Sequence, residues 1–456
     1  MADRSNARRP RAVATGMKRS ISRSVPFVAT ALLLSAVAYG AAEKKPLVTV
    51  TPKNATGIYG LNETIQWTIE RKDTTDVPEK AQYVVKSNFT GELKKGELDF
   101  TNGPATVETS FGEPGAVEVQ IQLKDDKAWT TIAGALVDPK NIKPDTPPPE
   151  DFDAFWKAKL EALNAIPLNP KVEPGDSEKD GIEYEKVTLD NINGTHVYGQ
   201  LAKPKKEGKF PALLMLQYAG VYGLPKTNVT NRAAMGYLAL NVIAHDIPLD
   251  EKPEFYKQQN EGPLKGYISF GADDKEKSYF LRMYLGDVQA VRYLQSRPDW
   301  DGKVLILNGG SQGGQQSLAV AGLCPDVVTG MVVQVPAGCD VTAPLHGRLA
   351  GFPYWAGWKE PDKTRIEVGR YFDGMNFAYH IKCPALVGFG LLDETSPATG
   401  VMSAINVMQG PVEAYPMLNS PHQNVGNSQN EFGKYAETIL KAGVTGKPLP
   451  VKATNR

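Results

Sequence analysis

Ser311 is the residue around which chemistry can be built. It stands at the apex of Gly309-Gly310-Ser311-Gln312-Gly313, a G-x-S-x-G pentapeptide. In that pattern glycines let a strand turn sharply into a helix and leave the serine hydroxyl exposed at the end of a sheet. The flanks fit, because residues 304–307 form a short apolar run of strand type and Ser317 to Ala321 continue as a small-residue helix. The competing reading is an ordinary strand–helix connection whose serine caps the helix. A serine hydroxyl is a poor nucleophile at neutral pH unless a base, usually a histidine oriented by a carboxylate, removes its proton. The partners available to Ser311 therefore decide between the two readings.

In the order serine, acid, histidine, the histidines after Ser311 are His346, His380 and His422. His380 precedes the apolar run 385–389 and falls at the end of the sheet away from the site. His346 follows the run 331–335 and has a place beside a pocket. His422 lies in the turn-rich segment 418–424, ahead of a last helix around residues 432–440, where the base belongs. For the acid, Asp393 directly follows the strand-like residues 385–390, so its carboxylate can reach an imidazole on the next loop. Glu394 is the neighbouring competitor, Asp340 a weaker one, and a turn or helix-capping aspartate the alternative for Asp393. The expected triad is Ser311, Asp393 and His422. The expected oxyanion hole is the backbone N–H of Gln312 together with that of Ala219, Tyr218 being one position away.

These residues need a sheet to position them. From residue 210 onward, the apolar runs 212–216, 238–244, 304–307, 331–335 and 385–389 read as buried parallel strands. Between them, Leu281, Tyr284, Leu285, Val288, Val291 and Leu294 mark one face of an amphipathic helix. Such alternation predicts an α/β-hydrolase type of doubly wound, mostly parallel sheet, with ligands at the carboxyl ends of its strands. Upstream, Phe152, Phe155, Trp156, Leu160 and Leu163 fall at helical spacing, and residues 182–202 read as a hairpin turning at Asn193-Gly194.

The N-terminal third is different. Arg19 and Arg23 precede an apolar run, 25–38, followed by small residues up to Ala42, the order of a secretory signal peptide cleaved near Gly40 or Ala42. Met17 is an alternative start, and the Arg8-Arg9 pair lacks the apolar residues of a twin-arginine signal. Residues 43–138 alternate apolar and polar, as in Ile65, Trp67, Ile69 and in Val117, Val119, Ile121, which predicts a small, immunoglobulin-like β-sandwich. Residues 139–149 are proline-rich and read as a stiff linker, leaving 150–456 for the hydrolase. The expected location is the periplasm, cell surface or exterior.

Composition narrows the partners. The 456 residues are long for one core, and 51 Lys plus Arg balance 51 Asp plus Glu. Nothing there points to nucleic acid, or to a membrane once the signal is cleaved. Cys324, Cys339 and Cys383 show no CxxC pair and no zinc-ligand spacing, and allow one disulfide at most.

The residues resemble the acetyl xylan esterase family, which includes cephalosporin-C deacetylases. The similar parts are Asp151-Phe152-Asp153-Ala154-Phe155-Trp156, Tyr284-Leu285-Gly286-Asp287, the elbow through Gly314, Tyr371-Phe372-Asp373 through Asn376-Phe377-Ala378 to Ile381-Lys382-Cys383-Pro384, and the acid loop from Gly388 to Pro397. The resemblance implies a serine esterase that removes acetyl groups from acetylated carbohydrates of xylan or xylo-oligosaccharide type, with little tolerance for long acyl chains. It implies no metal and no organic cofactor, and it supports the same five site residues. Family members often form rings, so a homo-oligomer remains open. The chain departs from the family pattern at His245-Asp246-Ile247, Gln217-Tyr218-Ala219 and His422-Gln423, which alters the pocket rim and spares the triad positions. His245 is either a pocket residue or a structural histidine beside Asp246. The alternatives are a prolyl-oligopeptidase-type peptidase and a non-catalytic, polysaccharide-binding protein of hydrolase fold.

Overall fold

Ile65, Trp67 and Ile69 are fully buried while the alternate residues Thr68 and Glu70 face solvent, the period-two pattern of a strand with one face on a core. The computed structural model describes residues 47–72, 77–122, 129–355 and 362–454, so the expected signal peptide at 1–42 lies outside the described residues. The N-terminal strands are β1 (Val48–Pro52), β2 (Ile58–Tyr59), β3 (Ile65–Arg71), β4 (Lys80–Ser87), β5 (Gly91–Asp99), β6 (Ala105–Thr109), β7 (Gly115–Gln122) and β8 (Trp129–Val137). They form a three-stranded sheet, β1-β3-β6, and a five-stranded sheet, β2-β8-β7-β4-β5. All pairings are antiparallel except β2 with β8. Ile65, Trp67 and Val107 of one sheet share a core with Val85, Val119 and Ala135 of the other. This region is a β-sandwich.

Residues 139–149 are fastened along the rest of the chain. Ile142 is buried in the main core, and Asn406 donates to the Pro139 and Ile142 carbonyls at 2.8 and 2.9 Å. Arg348 donates to the Lys143 carbonyl and pairs with Asp145, and Arg370 donates to the Pro147 carbonyl. The segment is therefore held by contacts as well as by the stiffness of its prolines.

After α1 (Phe152–Asn164), a nine-stranded sheet carries the chemistry. Its chain order is β9 (Lys171–Gly175), β10 (Ile182–Asp190), β11 (His196–Pro204), β12 (Phe210–Leu216), α2 (Thr227–Met235), β13 (Leu238–Val242), α3 (Pro253–Glu261), α4 (Tyr279–Ser296), β14 (Trp300–Gly310), α5 (Gln312–Leu323), β15 (Gly330–Gln334), α6 (Lys363–Gly369), α7 (Gly374–Ala378), β16 (Ala385–Gly390), α8 (Ala398–Val407), β17 (Val412–Met417) and α9 (Asn430–Gly443). In space the strands run β17-β16-β15-β14-β12-β13-β11-β10-β9. From β13 to β17 every pair is parallel, whereas β9, β10 and β11 add antiparallel strands at one edge.

Helices cover both faces. Val229 and Ala233 of α2 pack with Phe432, Ile439 and Leu440 of α9 on one side. Ala290, Val291 and Leu294 of α4, Leu318 of α5 and Val401 of α8 pack on the other. Each such fully buried large side chain stabilises the fold by about 1.5–3 kcal/mol. The architecture is the expected α/β-hydrolase type preceded by an all-β region.

The sequence patterns miss β9, whose residues are all exposed, and β17, whose Glu413 and Pro416 break the apolar run. Pro416 is tolerated because β17 is an edge strand. All three cysteines are free thiols, so no disulfide forms among them. Among the described residues, no helix is long and apolar enough to cross a membrane.

Candidate active site

The elbow has the geometry that its sequence predicts. β14 ends at Gly310, and Ser311 adopts φ 53° and ψ −120° before α5 begins at Gln312. Positive φ in a non-glycine residue costs about 1–3 kcal/mol and persists only where the surroundings fix it. Here the Ser311 N–H donates to the Gln334 carbonyl, and its own carbonyl accepts from Gln315 and Ala337, all at 3.0 Å. Gly313 sits against the Leu216 carbonyl at the end of β12, where any Cβ would collide. The elbow is thereby drawn against the loop that follows β12.

The structure brings Ser311, His422 and Asp393 together. Ser311 Oγ lies 2.8 Å from His422 Nε2, and His422 Nδ1 lies 2.8 Å from Asp393 Oδ2. Asp393 is fully buried, and its Oδ1 accepts from the N–H groups of Thr395 and Ser396 at 2.8 and 2.7 Å. An ionised carboxylate can only accept, so the hydrogen belongs on Nδ1 and Nε2 is left to accept from the hydroxyl.

The competitors are engaged elsewhere. Glu394 accepts from Thr131 at 2.7 Å, and Asp340 pairs with Arg348 at 2.7 Å. His380 pairs with Asp153 at 3.0 Å, and the His346 imidazole stands 3.7 Å from Asp145.

The His422 loop is fastened by a residue that its sequence does not advertise. Gln429 is buried just before α9, and its amide nitrogen donates to Ser420 Oγ, the Pro421 carbonyl and the His422 carbonyl at 2.9, 3.1 and 3.1 Å. Its amide oxygen accepts from Gln334, the last residue of β15, whose carbonyl also holds the Ser311 N–H. One pair of glutamines thus ties the base loop to the elbow.

The two expected oxyanion donors, Gln312 and Ala219, have backbone N–H groups with no acceptor among the described residues. Around them lies a polar scaffold. The Tyr267 hydroxyl accepts from the Gly220 N–H at 3.1 Å and donates to Gln312 Oε1 at 2.9 Å. Gln316 donates to the Gln217 carbonyl at 2.8 Å. His245 Nε2 donates to the Gly220 carbonyl at 3.0 Å, with its Nδ1 2.8 Å from the Tyr279 hydroxyl.

His245 is thus structural, but its partners are Gly220 and Tyr279. Asp246 instead accepts from the His196 N–H at 3.1 Å. Burial pushes the His245 imidazole down to about 4, so it is neutral at pH 7. Burial likewise pushes Tyr267 up to about 12, which keeps its hydroxyl intact as donor and acceptor. Tyr218, the alternative to Ala219, is half exposed and stacks on Tyr222 at 4.7 Å. Tyr267 lies in the long excursion between β13 and α4 that carries α3, and Tyr279 opens α4 directly after it. Among the described residues, no group of three or more His, Cys, Asp and Glu side chains is placed to hold a metal.

Comparison with known proteins identifies the family. Residues 132–437 match the acetyl xylan esterase family. The chain is 30% identical over 340 residues to the acetyl esterase Axe7A of Xylanibacter ruminicola, spanning 73% of this chain and 76% of that protein. An acetyl xylan esterase from Paenibacillus sp. R4 superposes with a TM-score of 0.55 at 25% identity, over 66% of this chain and 98% of the other. Acetyl xylan esterase 1 from Thermoanaerobacterium sp. JW/SL YS485 shares the fold, with a TM-score of 0.57 at 22% identity over 67% and 97% of the two chains. The chain belongs to the acetyl xylan esterase family and is a carboxylic ester hydrolase.

Proposed function

We propose that the protein is an exported serine esterase that removes acetyl groups from acetylated xylan or xylo-oligosaccharides, with Ser311 as nucleophile, His422 as base and Asp393 as the carboxylate that orients it. The observation that carries this reading is the relay of two 2.8 Å contacts, Ser311 to His422 to Asp393, at a serine held with positive φ.

His422 Nε2 takes the hydroxyl proton as Ser311 Oγ attacks the acetyl carbonyl, and the carbonyl electron pair moves onto oxygen. The N–H groups of Gln312 and Ala219 donate to that oxyanion. The tetrahedral intermediate collapses, the bond to the sugar oxygen breaks, and the sugar hydroxyl leaves with the proton from His422. Water, deprotonated by the same imidazole, then hydrolyses the acetyl-enzyme and regenerates the serine. The substrate class is supported by the family match and by the name of the curated relative. Export is supported by the basic, apolar and small-residue order of residues 19–42.

Acetate release from acetylated xylo-oligosaccharides, run beside longer acyl esters and short peptides, tests the reading. Acetyl esters are expected to dominate. Turnover of the peptides with acetylated xylo-oligosaccharides left intact contradicts it.

A further inference from the structure

The role of the β-sandwich is open, and its contacts with the acid loop bear on it. Thr131 of β8 donates to Glu394, the residue after Asp393, at 2.7 Å, and Gln120 of β7 donates to Thr131 at 3.3 Å. Gly134, also in β8, lies flat on the acid loop. A methyl group there would come within 2.6 Å of the Leu391 carbonyl oxygen and 2.8 Å of its Cβ. Gly57, just ahead of β2, is packed against Leu418 of the base loop in the same way. Ala116 of β7 and Leu136 of β8 are buried in one core with Phe389, Leu391 and Met402 of the hydrolase region.

Leu391 in turn reaches both catalytic loops. Its N–H donates to the Met417 carbonyl at 3.1 Å, and the N–H of Leu392 donates to the Ser420 carbonyl at 3.0 Å. Displacing residues 391–394 therefore moves Asp393 directly and loosens the turn that leads to His422.

Glu118 sits opposite Gly134 in the β7–β8 register and is fully buried. Its Oε2 accepts from the Phe89 N–H at 2.9 Å, and its Oε1 has no partner. Burial, and then the nearby Glu394 charge, push its carboxyl up to about 8. A buried acid beside another carboxylate is an unfavourable arrangement, tolerated where the surfaces are held together by something stronger.

From these contacts we infer that the β7–β8 face of the sandwich is a brace for the Asp393 loop, so that the N-terminal region is a positioning element of the esterase. This rests on the esterase reading and goes beyond it. A module that only holds glycan affects a polymeric substrate and spares a small soluble ester. A brace affects both alike, because the defect is in the relay itself.

The test uses the full chain carrying Gly134→Val, Gly134→Ala or Thr131→Val, assayed on p-nitrophenyl acetate and on acetylated xylan. Gly134 is in a strand and outside the left-handed region, so valine suits the strand backbone, and the nearest group its side chain meets is Leu391. A displacement of about 1 Å at a catalytic group can cost on the order of 100-fold. Gly134→Val is accordingly expected to lose about 10-fold or more in kcat on both substrates, with KM for the small ester little changed. A change that only weakens folding leaves kcat per folded molecule unchanged, so the fall in kcat at constant KM is the readout. Thr131→Val shows the same pattern more weakly.

A folded Gly134→Val enzyme with wild-type kcat on p-nitrophenyl acetate overturns the brace, as does a loss confined to acetylated xylan. If Gly134→Val does not fold, wild-type kcat in both Gly134→Ala and Thr131→Val overturns it. A wild-type chain inactive on both esters overturns the esterase reading, and the brace with it.

Discussion

The Ser311 side and the Asp393–His422 side of the proposed site are built by different means. Ser311 and its surroundings are held from within the sheet: by Gln334 on the neighbouring strand, by Leu216 against Gly313, and by Tyr267, His245 and Gln316 around the Gly220 loop. Asp393 and His422 sit on loops beyond the ends of β16 and β17, and what holds those loops lies outside the strands that carry them, in Thr131 of the sandwich and Gln429 ahead of α9. Thr131 reaches Glu394 across 263 positions, and Gln334 reaches Gln429 across 95. The proposed nucleophile is set in a strand–turn–helix that fixes it, whereas the proposed base and acid depend on braces. Changes on the two sides are expected to fail in different ways.

The largest effects come from the relay, where the two sides meet. Ser311→Ala and His422→Ala are each expected to lower kcat on p-nitrophenyl acetate by on the order of 10⁴-fold or more. Asp393→Asn is expected to cost on the order of 10⁴-fold, because an amide favours the wrong imidazole tautomer. Steady-state kinetics with unchanged far-UV circular dichroism check all three. A variant within about tenfold of wild type removes its residue from the relay.

Next come the braces of the base loop. Gln429→Leu removes the amide that donates to Ser420, Pro421 and His422, and is expected to lower kcat by about 10- to 100-fold with KM little altered. Gln429→Glu keeps the size but loses the donor, and should fall about as far. Full activity in the glutamate variant shows that shape alone holds the loop.

On the nucleophile side the penalty should be milder, because the scaffold has several members. Tyr267→Phe removes the hydroxyl joining Gly220 to Gln312. Both of its hydrogen bonds are lost, but only the one from the Gly220 N–H holds the Ala219 loop, and about 1 kcal/mol there predicts a roughly fivefold fall in kcat. A fall as deep as that of Gln429→Leu erases the contrast between the two sides.

The smallest effect is on stability. The folded-state pKa of Glu118 is raised to about 8 while the unfolded carboxyl titrates near 4.5. The folded chain therefore binds a proton that the unfolded chain has released, and stability falls as pH rises through that window. Glu118→Gln is free of this loss. Its melting temperature should match wild type near pH 4.5 and exceed it by about 2–4 °C at pH 8.5. A gain that is constant with pH contradicts a buried acid at this position.

The same contrast explains what is legible in the sequence. Ser311, Asp393 and His422 can each be found because a strand pattern, a turn and a loop announce them locally. The fold is legible for the same reason: the runs 212–216, 304–307, 331–335 and 385–389 recur as β12, β14, β15 and β16. Gln429 is itself buried, although the polar stretch around it, Gly426-Asn427-Ser428-Gln429-Asn430, reads as surface and is otherwise largely exposed. Tyr267 and Tyr279 carry no periodic signal, and their hydroxyls matter only because the fold closes them onto Gly220 and His245. The contact of Gly134 with Leu391 has no local signature at all, since it joins an edge of the sandwich to the far end of the sheet. Local chemistry shows in the sequence, and long-range support does not.

The central claim is that Ser311 is a nucleophile activated by His422. It is tested most directly by treating the full chain with one equivalent of a fluorophosphonate and locating the adduct by peptide mass spectrometry. The account predicts a single adduct on the peptide that contains Ser311, with labelling slowed by several orders of magnitude in His422→Ala. A wild-type chain that stays unlabelled at Ser311, or a His422→Ala chain that labels at the wild-type rate, contradicts it.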